Sequence, residues 1–262
     1  MVKSTILIIA KKEFMDNLRN NWIIAFSIIF VILAILVSYT GSATDQSWKS
    51  LEQTITSMKS ITLFLIPIIG LMLGYASVVG EIEKGSMDSL LSHPVKRFEI
   101  ITGKFIGLGT VICLIVLIGF GLAGIIIAVN VPDSDYILYL TFICVSILLG
   151  LSFLSIAMLF STLFKSRSAS MAAAITLWIF FAFFWQLLTI GIVLITIEGN
   201  NIMASKGPPD WFYQMQYFNP ITAYGYIGDP NAPPIYWAVL SMICWIVLPM
   251  LAAFWIFRKR EI

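Results

Sequence analysis

Six long apolar stretches, at about residues 22–40, 61–79, 104–129, 136–163, 170–197 and 236–257, contain no Asp, Glu, Lys, Arg or His away from their ends. A helix needs roughly 20 residues to cross a hydrocarbon core, so each stretch is long enough to span one. Of the 262 residues, 59% are apolar and only 11% charged, whereas soluble domains run near 45–50% and about 25%. A water-soluble core of this size could not hide that much apolar surface. The expected fold is therefore an all-α integral membrane protein, with six transmembrane helices in a single domain over residues 1–262. The third, fourth and fifth stretches exceed the thickness they must cross and should tilt, break or project from the membrane. Pro67 and Pro249 lie inside the second and sixth, where a kink is expected.

Residues 1–21 precede the first span with a different pattern. Ile6, Ala10, Phe14 and Leu18 step by four, while Lys3, Lys11, Lys12, Asp16 and Arg19 face elsewhere. This predicts an amphipathic helix lying in the cytosolic interface, with its apolar row in the lipid boundary and its cations near anionic headgroups. The alternative is a soluble amphipathic helix packed on a partner. The apolar run Ile6–Ala10 is too short for a secretory leader and runs into Lys11, Lys12 and Glu13, so no cleavable signal is expected.

Basic residues set the orientation. With the N-terminus inside, thirteen of the sixteen lysines and arginines fall on the cytosolic side, and only Lys49, Lys59 and Lys206 fall outside. Both termini are expected in the cytoplasm, in the plasma membrane. The net charge of +2 gives no reason to expect nucleic acid. Outside, residues 41–60 are short and polar. Residues 198–235 are longer and rich in Pro, Trp, Tyr and Phe, and Trp211–Tyr226 is expected to dip back to the outer interface as short helices. This segment is also where an extracytoplasmic partner could dock.

Chemistry-bearing groups are scarce. Cys113, Cys144 and Cys244 sit in apolar runs as small hydrophobes, and His93 is the sole histidine, so no metal site is expected. Met203 and Met215 could in principle bind Cu(I), but two unpaired thioethers make poor evidence for it. Without ionisable groups at mid-membrane, ion-coupled transport and proton relays have nothing to act through. Gly80 and Gly85 have the spacing of a phosphate loop, but the Lys-Ser/Thr that grips phosphate and magnesium is missing. The chain is thus expected to be neither an enzyme nor the carrier of a cofactor. Gly70 with Gly74, Gly103 with Gly107, Gly119 with Ala123 and Ala157 with Ser161 have the spacing that lets helices approach closely in lipid, within one chain or across a dimer. The aromatic run Trp178–Gln186 is either a cavity wall for an amphiphile or lipid-facing bulk.

The polar loop Gly80–Lys104, GEIEKGSMDSLLSHPVKRFEIITGK, is where charge concentrates. Met87, Leu90 and Leu91 share one face of a short helix, Pro94 stops it or opens the next, and Phe98 and Ile101 repeat the spacing. Its acidic start, Gly85, the Leu90–Leu91 pair, Pro94, the basic Lys96–Arg97, the Phe98–Glu99 pair and Gly103–Lys104 resemble the first cytosolic loop of ABC transporter permeases of the type-2 exporter class. The likeness extends to the small six-helix permeases among them, such as those serving copper-site maturation of nitrous oxide reductase. The resemblance implies an elbow helix before the first span and a homodimer exporting a substrate. It also implies a separate cytosolic ATPase subunit, holding ATP and Mg, seated on Glu83, Gly85, Met87, Leu90, Leu91, Pro94, Lys96, Arg97 and Lys104, with a smaller contact at Lys165–Ser168. Two other roles stay open: an ABC membrane subunit that transmits force to an extracytoplasmic partner, and a scaffold that uses no ATP. Orientation is directly testable. Single cysteines at Ser47 and Gly207 in a cysteine-free background should react with an impermeant reagent from outside, and cysteines at Ser86 and Ser166 should not.

Overall fold

The computed structural model describes residues 5–42, 51–87, 95–131, 135–197, 210–227 and 234–260. Within these the chain is helical and contains no strand. In order come α1 (Thr5–Leu18), α2 (Asn21–Ser42), α3 (Leu51–Gly74), the short α4 (Val79–Glu83), α5 (Arg97–Asn130), α6 (Tyr136–Leu163), α7 (Arg167–Ile179), a π-helical turn (Phe180–Phe184), α8 (Trp185–Ile197), the short α9 (Asp210–Gln216) and α10 (Pro220–Gly225), and α11 (Tyr236–Lys259). Six helical segments are long and apolar enough to cross a membrane, with α7, the π turn and α8 together making the fifth.

Helix starts follow local chemistry. Asn20 Oδ1 accepts from the Trp22 N–H at 3.0 Å, and Asp135 Oδ1 accepts from Ile137 and Leu138 at 3.0 and 3.2 Å. Ser166 Oγ accepts from Ala169 at 3.3 Å, and Glu99 reaches back to the Lys96 N–H at 2.9 Å. Each occupies a donor that a first helical turn leaves unpaired. Helix lengths differ from the apolar runs where polar residues continue a helix beyond the span. Thus α3 begins at Leu51, within the segment read as a polar outer connection, and α5 begins at Arg97 rather than at Lys104.

The bundle is built around α6, which packs along α3 on one side and α11 on the other, while α2 lies against α5 and α3. Small residues permit these approaches, as expected where packing rather than hydrophobic transfer drives association. A Cβ on Gly70 would sit 2.7 Å from the Gly150 carbonyl of α6, and one on Gly74 would sit 2.6 Å from Ala157 Cβ. A Cβ on Gly119 would strike the Phe30 ring of α2 at 2.5 Å, and the Ser38 hydroxyl bonds the Ala123 carbonyl at 3.1 Å. All four small-residue pairs noted in the sequence are therefore used for contacts within one chain.

The pair Gly103 and Gly107 receives α1. Ile9 Cβ lies 2.8 Å from where a Gly103 Cβ would be, and the Ala10 carbonyl 2.5 Å from a Gly107 Cβ. Ile9, Ala10 and Glu13 are buried there, whereas Leu7, Ile8 and Met15 are exposed. The sequence put the row through Ile6 and Ala10 into lipid. The glycine groove turns the helix so that Ala10 faces α5 instead.

Gly107→Leu should dislodge α1, because the first added carbon has no room. Overpacking of this kind costs about 1–3 kcal/mol, so the detergent-solubilised variant should melt earlier. Gly121→Ala, whose Cβ meets nothing within 4 Å, should melt like the unmodified protein.

Candidate functional site

At the end of the bundle where α1 begins and α11 ends, charged residues form two clusters, one centred on α4 and one on the start of α5. On the first side Lys104 of α5 is 1% exposed, and its Nζ lies 2.6 Å from Glu13 Oε1 and 2.9 Å from Glu81 Oε1. Lys12 adds a second ammonium 3.2 Å from the same Glu81 oxygen. Burial lowers the Lys12 pKa, but the carboxylates of Glu81, Glu13 and Asp16 together outweigh it, and the net shift is upward. Three helices, α1, α4 and α5, are thereby tied at one point by a buried cation between two carboxylates.

Next to it, Glu83 joins the loop to α7. One Glu83 carboxylate oxygen accepts from the Arg167 backbone N–H at 2.8 Å, and the other lies 2.8 Å from Arg167 Nε. The same guanidinium donates to the Gly80 carbonyl at 2.7 Å. Ser161 of α6 accepts from the N–H groups of Val78 and Val79 at 2.9 and 3.0 Å, fixing the start of α4.

At the start of α5 Arg97 donates from one nitrogen to the carbonyls of Phe257 and Arg260, both at 2.6 Å, and lies 5.5 Å from the centre of the Phe257 ring. Arg260 in turn donates to the carbonyls of Thr162 at 2.6 Å and Phe164 at 3.0 Å. Carbonyls at a helix C-terminus lack intrahelical partners and carry partial negative charge, so a guanidinium fits there. The start of α5 is thus hooked to the end of α11, and the end of α11 to the end of α6.

The residues singled out in the sequence divide three ways. Leu90, Leu91 and Pro94 lie outside the described residues. Met87 and Lys104 face inward, and Met87 is 0% exposed, in the core alongside Ile100 and Ile101. Arg97 is half-buried on α11. Glu83, Gly85 and Lys96 are at the surface. Glu83–Ser86 forms an exposed knuckle between buried Val79 and buried Met87. Gly85 turns it with φ +68°, and a Cβ placed there would meet nothing within 4 Å. A side chain at that φ would be strained, so glycine is suited to the position. Lys165 and Arg167, the smaller expected contact, flank the same region.

Sequence reading missed Glu13 and Glu81 as the partners of Lys104, and Arg260 as a cap. The only available signal was that Glu13 lies beside the apolar row of an amphipathic helix, one turn from Ile9 and Ala10. Among the described residues no cluster of three or more His, Cys, Asp or Glu could hold a metal.

These features define a multi-pass helical membrane protein whose ionic structure gathers at one end of the bundle. The chain belongs to the ABC-2 family of transporter proteins, whose family model matches residues 7–262. It is 33% identical over 275 aligned positions to the probable ABC transporter permease protein NosY of Stutzerimonas stutzeri, covering 96% of this chain and 97% of that protein. With NosY of Pseudomonas aeruginosa the identity is 35% over 194 positions, covering 72% and 70%. With the probable ABC transporter permease YtrC of Bacillus subtilis it is 32% over 125 positions, covering 45% and 38%. The protein is a membrane permease subunit of the ABC-transporter type.

Lys104→Met should be severely destabilising, because it leaves Glu13 buried without a cation and Glu81 with only the exposed Lys12. Breaking a buried pair from one side costs about 3–5 kcal/mol. Adding Glu13→Gln and Glu81→Gln should restore most of the folded yield, read by size-exclusion profile and melting temperature.

Proposed function

We propose that two copies of this permease pair around a translocation pathway and that each receives a cytosolic ATPase subunit at the α4–α5 loop. Closure of the ATPase pair on ATP would push the loop and drive export of a substrate. The observation that carries this reading is the exposed knuckle Glu83–Ser86, anchored on both sides by buried residues. A push on a loose tether is absorbed by its slack. Here a push would reach α1 and α5 through Glu81, α7 through Glu83, and α11 and α6 through Arg97 and Arg260. Coupling of this kind needs an element with two arrangements that both partners bias; tilting of α3 and α5 is the arrangement proposed. In this reading both termini lie in the cytoplasm, and ATP with its Mg is bound by the partner alone.

A second reading has the permease transmit force to an extracytoplasmic partner without carrying cargo. It is favoured by the way α9 and α10 bond to several spans at once at the opposite end of the bundle. A scaffold that uses no ATP is the third possibility.

Purification from native membranes separates the three. The expected complex has the mass of two permease and two ATPase chains after correction for detergent. Leu90→Asp should weaken the permease's hold on the ATPase subunit, since burying an unpaired carboxylate in an interface costs several kcal/mol. A loss of the permease's own thermal stability would instead place Leu90 with Met87 in the permease core. Unchanged ATPase retention in Leu90→Asp would remove the loop from coupling. A permease purified without any ATP-binding subunit would favour the scaffold.

A further inference from the structure

The fifth span is not one continuous α-helix. Between α7 and α8 the turn Phe180–Phe184 is π-helical, and the Trp185 N–H bonds back five residues to the Phe180 carbonyl. A π turn accommodates one residue more than an α turn, and it disturbs the regular pairing of neighbouring carbonyls. It also offsets everything beyond it by one residue of rotation, about 100° at 3.6 residues per turn. In lipid, a carbonyl without a regular partner has to find a donor elsewhere in the protein.

The donor comes from the segment on the far side of the membrane. Asn219 is 0% exposed, and its Nδ2 donates to the Phe181 carbonyl at 2.8 Å. Its Oδ1 accepts from the Ile221 N–H at 2.8 Å, which caps α10. One helical turn further along the fifth span, Trp185 Nε1 donates to Gln216 Oε1 at 2.9 Å, and the Trp185 ring stacks on Phe218 with centroids 5.7 Å apart. The same short segment is held elsewhere. Ser241 and Trp245 of α11 donate to the Tyr217 and Phe218 carbonyls, the Tyr224 hydroxyl pairs with Ser146 of α6 at 2.7 Å, and Lys59 of α3 reaches the Gly225 carbonyl at 3.3 Å.

We infer that Asn219 sets the register of the fifth span: the outer segment holds Phe180–Phe184 in its π form, and its release lets that turn close to α-helix and rotates α8 by one residue. The consequence for α8 is specific. Thr189 and Val193 now face inward, while Leu188 is 51% exposed and Ile192 is exposed beside it. Closing the π turn advances each later residue by one position around the helix. Leu188 and Ile192 then take the inward positions, and Thr189 and Val193 turn outward. Asn219 is a positioning residue in this scheme, and the scheme does not depend on where an ATPase binds.

Nitroxide labels at residues 188 and 189 report the register through their collision rate with oxygen dissolved in the bilayer. In the unmodified protein the label at 188 should be the more accessible. Asn219→Ser keeps a short side-chain oxygen to cap α10 but cannot reach the Phe181 carbonyl. It should reverse that order, making 189 the more accessible. Deletion of Ala182 removes the extra residue and closes the turn to α-helix while leaving the later residues in their present positions, so 188 should stay the more accessible whether residue 219 is Asn or Ser. With Ala182 deleted, Asn219→Ser should have no further effect on accessibility or melting temperature. An unchanged accessibility order in folded Asn219→Ser protein overturns the inference. If Asn219→Ser alone does not fold, recovery of folding on deletion of Ala182 supports the inference. Failure to fold in both backgrounds, or an equal loss of melting temperature in both, overturns it, because residue 219 would then serve only α10.

Discussion

A carbonyl freed where a helix ends or breaks has no water to bond inside a hydrocarbon layer, and much of this structure answers that constraint. At the end of the bundle that holds the ionic clusters, the donors are guanidinium groups. Arg97 serves the end of α11, Arg260 the end of α6, and Arg167 the carbonyl of Gly80. Within the spans the donors are hydroxyls. Pro249 has no N–H to give to α11, and nearby the Ser155 and Ser152 hydroxyls of α6 donate to the Ile246 and Met242 carbonyls at 2.7 and 3.1 Å. Single hydroxyl bonds of this type contribute only about 0.6 kcal/mol each. Their importance is geometric, because each fixes the rotation of one helix against another.

Close packing supplies the rest of the cohesion. Glycine faces on α3 and α5 allow backbone-to-backbone approach, and van der Waals contact grows with the area brought within reach. These faces are occupied by α6, α1 and Phe30 of the same chain. A second copy would therefore have to meet other surfaces, and bulky exposed residues such as Ile28, Ile32, Leu187 and Leu194 on α2 and α8 are what those helices present.

The six spans were legible in the sequence because length and apolarity are properties of each run by itself. The two short helices between the fifth and sixth spans were legible for a similar reason, since aromatic residues and prolines mark them locally. What escaped the sequence depends on partners far along the chain. Arg97 and Arg260 look like ordinary basic flanks until their carbonyls, about 160 and 98 residues distant, are brought alongside. Met87 fits an outward apolar stripe as well as an inward one, and only the fold places it in the core. The π turn is equally hidden, because a run of Phe residues has no periodicity that distinguishes a π turn from an α turn. The direction of α1 was missed because a glycine pair does not announce which helix will fill it.

The pairing of Glu13 with Lys104 also bears on biogenesis. The two residues are 91 positions apart. The polymer that emerges first therefore carries a carboxylate whose counter-ion has not yet been made. Until the third span is synthesised, Glu13 has to stay hydrated, so the leading helix waits in water or among headgroups while the first two spans enter the bilayer. Its docking onto α5 has to follow synthesis of the third span, because neither Lys104 nor the Gly103–Gly107 groove exists before then. The order in which the ribosome delivers charges is in this way written into the order in which the membrane domain closes.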